Sequence, residues 1–177
     1  MTRGTWRHGI RLMAAVAALV VAITATPAAA AGNGRAVERP YREMTFNDVN
    51  VGSCAGFPVL ICDFTLEGQL IGTHIGRADD VGWGTARIDF SQPCVVDAGL
   101  VGNVSTGEFA GVITAADGSE LFYEGASTQC VVSGASDSRS GSWWITGGTG
   151  RFEGASGTIE LGPVVDGSAV NVGTITF

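Results

Sequence analysis

The segment Leu60-Ile-Cys-Asp-Phe-Thr-Leu-Glu-Gly-Gln-Leu70 alternates between two kinds of side chain along its whole length. Leucine, cysteine and phenylalanine occupy one set of alternate positions, whereas aspartate, threonine, glutamate and glutamine occupy most of the other set. A period of two is typical of a β strand that turns one face towards a core and the other towards water. The segment therefore predicts a strand whose inward face carries Phe64 and Leu66.

Similar short segments recur along the chain, and glycine, aspartate or asparagine separates them. Besides 60–70, the predicted strands cover residues 41–51, 85–90, 95–104, 108–115, 119–127, 142–146, 154–161 and 170–177. The pair Asp117-Gly118 lies between two of them and is typical of a tight hairpin turn, since both residue types tolerate a positive φ angle. No segment has the 3.6-residue period of an amphipathic helix. The chain is therefore predicted to be all-β, with about eight antiparallel strands in a meander.

Two architectures fit such a meander. The strands can close into a single antiparallel barrel, which removes unpaired edges, or they can divide into a two-sheet β-sandwich. A barrel of eight strands has an interior that side chains fill or that holds one small ligand. We expect the folded domain to cover residues 41–177, after a polar, disordered lead-in at residues 32–40.

The glycine-rich segment TGGTGRFEG at residues 146–154 has two interpretations. Its first half is similar to a dinucleotide-binding turn, but that fingerprint requires a third glycine where the chain has Glu153, and the turn must open a helix. The residues after 154 are poor helix formers, so we interpret the segment as a structural turn between two strands. The predicted turn residues are Gly147, Gly148, Gly150, Arg151, Phe152 and Gly154.

The same residues carry a resemblance to a known family. Gly-Gly-Thr-Gly-Arg-Phe followed by Gly-Ala-x-Gly resembles the signature of the allene oxide cyclase and dirigent barrel superfamily, including exported bacterial members of unassigned role; the likeness covers residues 107–162. It implies a closed eight-stranded barrel with a central cavity. Plant members form oligomers and direct the cyclisation or radical coupling of hydrophobic small molecules. Their catalytic residues lie in other strands, where the resemblance provides no residue-by-residue match, so none is transferred.

The first 31 residues have the three parts of a secretory signal peptide. Arg3, Arg7 and Arg11 precede an apolar run at 12–23, and small residues at 24–31 end in alanines that suit a signal peptidase. The apolar run is shorter than the roughly 18–20 residues that span a bilayer. We therefore predict an N-terminal signal helix at residues 1–31, its cleavage, and a secreted, extracellular protein.

The charge of the chain restricts its partners. The sequence has 10 basic and 17 acidic residues, a net charge of −7. Three arginines leave with the signal peptide, so the mature chain is near 7 − 17 = −10. It contains no lysine, and phosphate groups are bound by clusters of lysine and arginine. We therefore expect no nucleic-acid partner and no membrane partner after signal removal, whereas a small hydrophobic ligand and an oligomer remain open.

Four cysteines follow the signal peptide, namely Cys54, Cys62, Cys94 and Cys130. An even number in an exported chain predicts two disulfides, for which three connectivities exist. We favour Cys54–Cys62 and Cys94–Cys130, because the Gly-Phe-Pro segment between the first two cysteines can fold back. Metal sites usually show closely spaced pairs of cysteine or histidine, which this chain lacks, so no metal site is expected.

The sequence shows no assembled catalytic cluster. His74 is the one histidine after the signal peptide, and the chain has no Gly-x-Ser-x-Gly elbow. Carboxylates are plentiful, but Asp80, Asp89 and Asp117 have the pattern of turn or outer-face residues. We therefore assign no catalytic, cofactor-binding or metal-binding residue and expect no cofactor.

Adjacent Trp143 and Trp144 face opposite sides of a predicted strand, so one of them should line the interior. The candidate cavity-lining residues are Phe64, Leu66, Trp143 and Trp144. The leading hypothesis is a secreted, non-enzymatic barrel that binds a small hydrophobic molecule. One alternative is a cofactor-free enzyme of the cyclase or dirigent type, and another is a sandwich-fold carrier of a chromophore. Buried carboxylates, arginine or tyrosine in an open interior would favour an enzyme, whereas a purely apolar interior would favour binding.

Overall fold

A computed structural model describes residues 36–96, 99–132, 135–165 and 167–177, without the side chains of 135–138. The predicted signal peptide and residues 32–35 of the predicted lead-in lie outside the described residues. The described residues form nine β strands and one short 3₁₀ helix at Gly150–Phe152. The strands are β1 Glu38–Ala55, β2 Val59–Gly72, β3 Gly76–Val95, β4 Val101–Ala115, β5 Glu120–Val132, β6 Ala135–Gly148, β7 Ser156–Glu160, β8 Val164–Val165 and β9 Ser168–Thr176.

The strands form one antiparallel sheet in which each strand pairs with the next along the chain as far as β7, which pairs with β9. The sheet then closes on itself, because β9 also pairs with β1 from Glu38↔Thr176 to Thr45↔Ala169. Eight strands therefore make a continuous ring of hydrogen bonds, and the two-residue β8 pairs only with β9. The prediction of an all-β meander of antiparallel strands is confirmed.

The two ends of the ring differ. At one end lie the β2–β3, β4–β5 and β6–β7 turns, and we call it the packed end because Phe152 and Ile75 are buried there. At the other end lie the β1–β2 and β3–β4 turns and both disulfides, and we call it the disulfide end. Cys54–Cys62 joins β1 to β2, and Cys94–Cys130 joins β3 to β5. This is the connectivity favoured from the sequence.

The hydrophobic core occupies the packed half of the ring. Phe152 is only 1% exposed and closes the packed end from the β6–β7 connection. Each strand of the ring supplies at least one core residue, and β4, β5 and β6 supply two each. The core consists of Tyr41, Leu70, Ile75, Ala78, Ile113, Ala115, Leu121, Tyr123, Trp143, Ile145, Phe152, Ala155, Ile159 and Ile175.

Two strand boundaries and the orientation of one side chain differ from the sequence prediction. Strand β1 begins at Glu38, inside the predicted lead-in, because residues 38–40 pair with the end of β9. The predicted strand at 95–104 is interrupted, since β3 ends at Val95 and β4 starts at Val101 after a turn. Phe90 is exposed although the alternation predicted it inward, because the β3–β4 register shifts between Asp89 and Pro93.

Candidate functional site

Between the packed core and the disulfide end, the ring encloses a cavity of about 570 Å³. Most of its wall is apolar and includes Phe64, Leu66 and Ile88. The cavity opens at the disulfide end, where the lining residues Val49 and Val51 are 59% and 65% exposed. An apolar molecule therefore has a route from solvent into the ring.

A polar cluster around Glu43 lies at the inner limit of this cavity, next to the core. The hydroxyl of Tyr41 donates to Glu43 Oε2 at 2.7 Å, and Asn171 Nδ2 donates to Oε1 at 2.7 Å. Trp143 also donates a side-chain hydrogen bond to this carboxyl group. Glu43 and Asn171 are both almost fully buried. Three side chains from three strands thus hold one carboxyl group in place.

A second cluster surrounds Asp80 on β3. The hydroxyl of Tyr123 donates to Asp80 Oδ1 at 2.8 Å, and Asn47 Nδ2 donates to Oδ2 at 2.8 Å. Glu43, Asp80 and Tyr123 all line the cavity. The interior therefore contains two tyrosine–carboxyl pairs, each completed by an asparagine amide.

Two glycines make room for the hydroxyl group of Tyr123. Gly82 on β3 and Gly111 on β4 are paired in register. A β-carbon on Gly82 would lie 2.8 Å from the Tyr123 hydroxyl oxygen, and one on Gly111 would overlap it. A larger residue at either position would push the ring away from Asp80. The glycine pair therefore sets the geometry of the Tyr123–Asp80 hydrogen bond.

Burial controls the protonation of these groups. Removal from water raises the pKa of Glu43, although hydrogen bonds from Asn171 and Tyr41 lower it in part. Burial likewise raises the pKa of Asp80, against the hydrogen bonds from Tyr123 and Asn47. The charge of Asp80 adds to the rise at Glu43, so the two carboxyl groups are electrostatically coupled.

Arg139 on β6 extends the Glu43 cluster. Its guanidinium donates to Asn171 Oδ1 and to the Gly162 carbonyl oxygen, both at 3.3 Å. Burial lowers the pKa of Arg139, and the charge of Glu43 opposes that change. Gly162 N also donates to Asn171 Oδ1 at 3.0 Å, which fixes the orientation of the amide so that its nitrogen faces Glu43.

Two buried polar atoms of the described residues have no hydrogen-bond partner, Asn47 Oδ1 and Arg139 Nε. Both residues line the cavity. Buried polar groups are nearly always paired in folded proteins, so such atoms call for an explanation.

The structure separates the four predicted cavity-lining residues. Phe64, Leu66 and Trp143 line the cavity, whereas Trp144 lies on the outer surface and is 40% exposed. The two tryptophans face opposite sides of β6, as expected for neighbouring residues of a pleated strand, and Trp143 is the one that faces the cavity. Trp143 contacts Tyr41 edge-on and lies 5.3 Å from the Tyr123 ring, centroid to centroid.

The predicted turn segment connects β6 to β7 and stays outside the cavity. Gly150 and Gly154 have φ angles of +59° and +77°, which favour glycine. Arg151 donates to the Ile75 carbonyl oxygen at 2.6 Å and lies 3.4 Å from a carboxylate oxygen of Asp117. The segment therefore ties three turns of the packed end together.

Sequence reasoning missed Glu43 and Asp80, and it placed Asp80 on the outer face. The alternation of side chains along β3 could have indicated that Asp80 faces the interior. The predicted inward set of β3 contains Ala86 and Ile88, and the same parity leads back to Asp80. Asp89 was also predicted outside or in a turn. It is buried instead, and hydrogen bonds from the Ser91 hydroxyl and amide lower its pKa.

His74 occupies the β2–β3 turn at the packed end and is exposed, with its ring edge-on to Phe177. It is not among the cavity-lining residues. In the described parts of the chain, no group of three or more histidine, cysteine, aspartate or glutamate residues is arranged to hold a metal ion. No described helix is long and apolar enough to cross a membrane.

The comparisons with known proteins found no matching family model, no matching curated protein and no matching solved structure.

Proposed function

We propose that the closed sheet is an eight-stranded barrel of the allene oxide cyclase and dirigent type, and that it binds one small, mostly apolar molecule with a polar end. The continuous ring of eight paired strands supports the barrel, because a two-sheet sandwich would interrupt the ring of hydrogen bonds. Barrels of this size are just wide enough to be filled or to hold one small ligand.

The observation that carries the proposal is the placement of two tyrosine–carboxyl pairs at the inner limit of an open, apolar cavity. The volume of about 570 Å³ suits a single small molecule. Typical ligand sites combine an apolar wall with a few polar groups that orient the ligand. Here most of the wall is apolar, and both carboxyl groups lie at the inner limit, next to the core.

The polar groups are costly for folding, which favours a functional role for them. Burial of a carboxyl group among apolar residues lowers stability unless hydrogen bonds compensate. An interior of leucine and phenylalanine would avoid that cost. The unpartnered Asn47 Oδ1 and Arg139 Nε would gain partners from a ligand that offers both a donor and an acceptor. We therefore assign the polar end of the ligand to this region.

A second candidate function is a cofactor-free isomerase or cyclase, and one observation favours it. Burial raises the pKa of both Glu43 and Asp80, which shifts them in the direction that general acid catalysis requires. An isomerisation in which a carboxyl group donates a proton and later takes one back changes no oxidation state and consumes no second reactant. Buried carboxyl, arginine and tyrosine groups in an open interior are also the features that we expected to favour an enzyme over a simple binding protein.

The two disulfides place the chain outside a reducing cytoplasm. Together with the predicted signal peptide they support a secreted protein whose mature form starts near residue 32. Secretion would expose the barrel to extracellular small molecules.

The test combines a search for bound ligand with a variant that fills the cavity. Native mass spectrometry of the mature protein, purified from the medium of its own source without denaturants, should detect a retained small molecule. An apolar dye, anilinonaphthalene sulfonate, should bind the ligand-free protein. Leu66→Trp, which projects into the cavity, should abolish both signals, whereas the outward neighbour Glu67→Trp should not.

Circular dichroism shows whether the two tryptophan variants remain folded. If the dye binds equally well to both variants, it does not bind in the cavity and the proposal is wrong. Glu43→Gln then separates the two functions. If the protein only binds its ligand, the Glu43→Gln variant and the wild-type protein should carry the same molecule. If the protein is an enzyme, the variant should retain unconverted substrate that the wild-type protein releases as product.

A further inference from the structure

A groove on the outer face of the sheet lies between two exposed tryptophans. Trp83 on β3 is 53% exposed, and Trp144 on β6 is 40% exposed. The register aligns Trp83 with Ala110 on β4, Ala110 with Glu124 on β5, and Glu124 with Trp144. The two indoles therefore form the walls, and the strands between them form the floor.

Small and acidic residues alternate on this floor. Next to the row of Ala110 and Glu124, Glu108 on β4 pairs in register with Ala126 on β5. The alanines leave space between the indoles, while the two exposed glutamates provide carboxylates diagonally across the groove. Rigid, hydrogen-bonded strands hold all of these side chains.

The groove has no positive charge of its own. Among the described residues, no arginine lies within ion-pair distance of Glu108 or Glu124. Arg87 lies two positions after the groove residue Thr85 on β3, and its guanidinium is 3.3 Å from a carboxylate oxygen of Asp89. A neutral ligand would remove water from two carboxylates without compensating their charge, which is unfavourable. A cationic ligand would compensate it and could also stack on the indole faces.

We propose that this groove binds an extended, arginine-containing peptide segment, with one guanidinium on Trp83 and a second on Trp144. Arginine suits both contacts, because its planar group stacks on aromatic rings and pairs with carboxylates. The indoles are three strand spacings apart, roughly 14 Å. Side chains four residues apart in an extended peptide are separated by roughly 13 Å. The spacing therefore selects arginines at positions i and i+4.

The groove is separate from the interior cavity, so this inference does not depend on the proposed function. The net charge of −7 reinforces it, since an acidic protein attracts basic segments and raises their rate of association.

The test uses the mature protein and a capped peptide, Thr-Arg-Thr-Thr-Thr-Arg-Thr, with tryptophan fluorescence as the readout. Trp83→Ala and Trp144→Ala should each raise the dissociation constant of the peptide roughly fivefold to thirtyfold. The double variant Glu108→Gln with Glu124→Gln should weaken it by a similar factor. Glu153→Gln, an exposed carboxylate in the β6–β7 turn, is the matched control and should have no effect. Binding of the apolar dye in the cavity should be unchanged in every variant.

Two further peptides and a salt series test the chemistry. Moving the arginines next to each other, or replacing both with uncharged citrulline, should weaken binding at least tenfold. Raising the NaCl concentration from about 0.05 M to about 0.5 M should also weaken it, since exposed charges are screened. Equal binding of the citrulline peptide, or no effect of either tryptophan variant, would overturn the proposal. It is also wrong if a neutral glucan oligosaccharide binds with the same dependence on Trp83 and Trp144 while the arginine peptide does not.

Discussion

The packed end and the disulfide end are built from the same eight strands, yet they differ in what lies between them. At the packed end, Phe152 returns from the β6–β7 connection and fills the ring together with Leu121 and Ile159. At the disulfide end, Val49 and Val51 face the interior but remain exposed. The ring of hydrogen bonds therefore does not determine whether the interior is filled. The inward-facing side chains do, together with Phe152 from the β6–β7 connection.

This difference assigns separate tasks to the two ends. Fully buried apolar side chains supply most of the stability of a small domain. An interior that is open on one side loses part of that stability and gains space for a ligand. Covalent links at the open end then replace some of the missing packing. The predictions below test this division, from the largest expected effect to the smallest.

Phe152→Ala should produce the largest loss of stability. Removing a buried phenylalanine typically costs about 3–5 kcal/mol, because a cavity remains where the ring was. Leu66→Ala, which enlarges a cavity that already exists, should cost only about 1 kcal/mol. Denaturant unfolding monitored by circular dichroism gives both free energies. Equal losses for the two variants would contradict the division between a packed end and an open end.

Removing the Cys94–Cys130 disulfide should cost somewhat less than the phenylalanine. The bond closes a loop with a sequence separation of 36, for which chain entropy gives about 4 kcal/mol as an upper value. The Cys54–Cys62 bond, with a separation of 8, should contribute about 2.5 kcal/mol. Unfolding of the paired Cys→Ser variants measures the two effects. A larger loss for the shorter loop would show that strain or local packing outweighs loop closure.

Tyr123→Phe should destabilise the protein by about 1–3 kcal/mol, because it leaves Asp80 Oδ1 buried without its donor. The double variant Tyr123→Phe with Asp80→Asn should recover part of that loss, since an amide carries no charge to bury. Thermal unfolding of the two variants is the measurement. If Tyr123→Phe leaves the unfolding temperature unchanged, the Tyr123–Asp80 hydrogen bond does not contribute to stability.

Stability should fall as the pH rises above the ordinary carboxyl range. The pKa values of Glu43 and Asp80 are raised in the folded state, so the folded protein holds these protons more tightly than the unfolded chain does. The contribution is complete below about pH 4, where both states are protonated, and is lost as the pH rises towards the folded-state pKa values.

Glu43→Gln and Asp80→Asn should each flatten this part of the pH profile, measured as the free energy of unfolding against pH. The pKa values of Asp89 and Asp117 are lowered in the folded state, so these two groups act in the opposite sense. Their contribution to stability is lost as the pH falls below about 4. A wild-type profile that rises between about pH 5 and 8 would contradict the assignment.

The sequence predicted secondary structure better than it predicted the site. The alternation in 60–70 identified β2 and put Phe64 and Leu66 inside, and the structure agrees. The same reasoning left Asp80 outside, because an aspartate beside Asp79 resembles a turn. The pattern did not indicate Glu43 as an interior residue either. Polar residues on an inward face contradict the usual pattern, and only their partners, Tyr41 and Tyr123, make the arrangement stable.

The sequence by itself determined the strands and their antiparallel order, because a period of two and short turns are local properties of the chain. For the cysteines it favoured one of three pairings, and the tertiary structure decided between them. The tertiary structure decided that β1 and β9 close the ring, that one end is filled and the other open, and that two carboxyl groups meet two tyrosines inside. These features depend on residues far apart in sequence. Tyr123 and Asp80, for example, are separated by 43 positions and come together only across three paired strands.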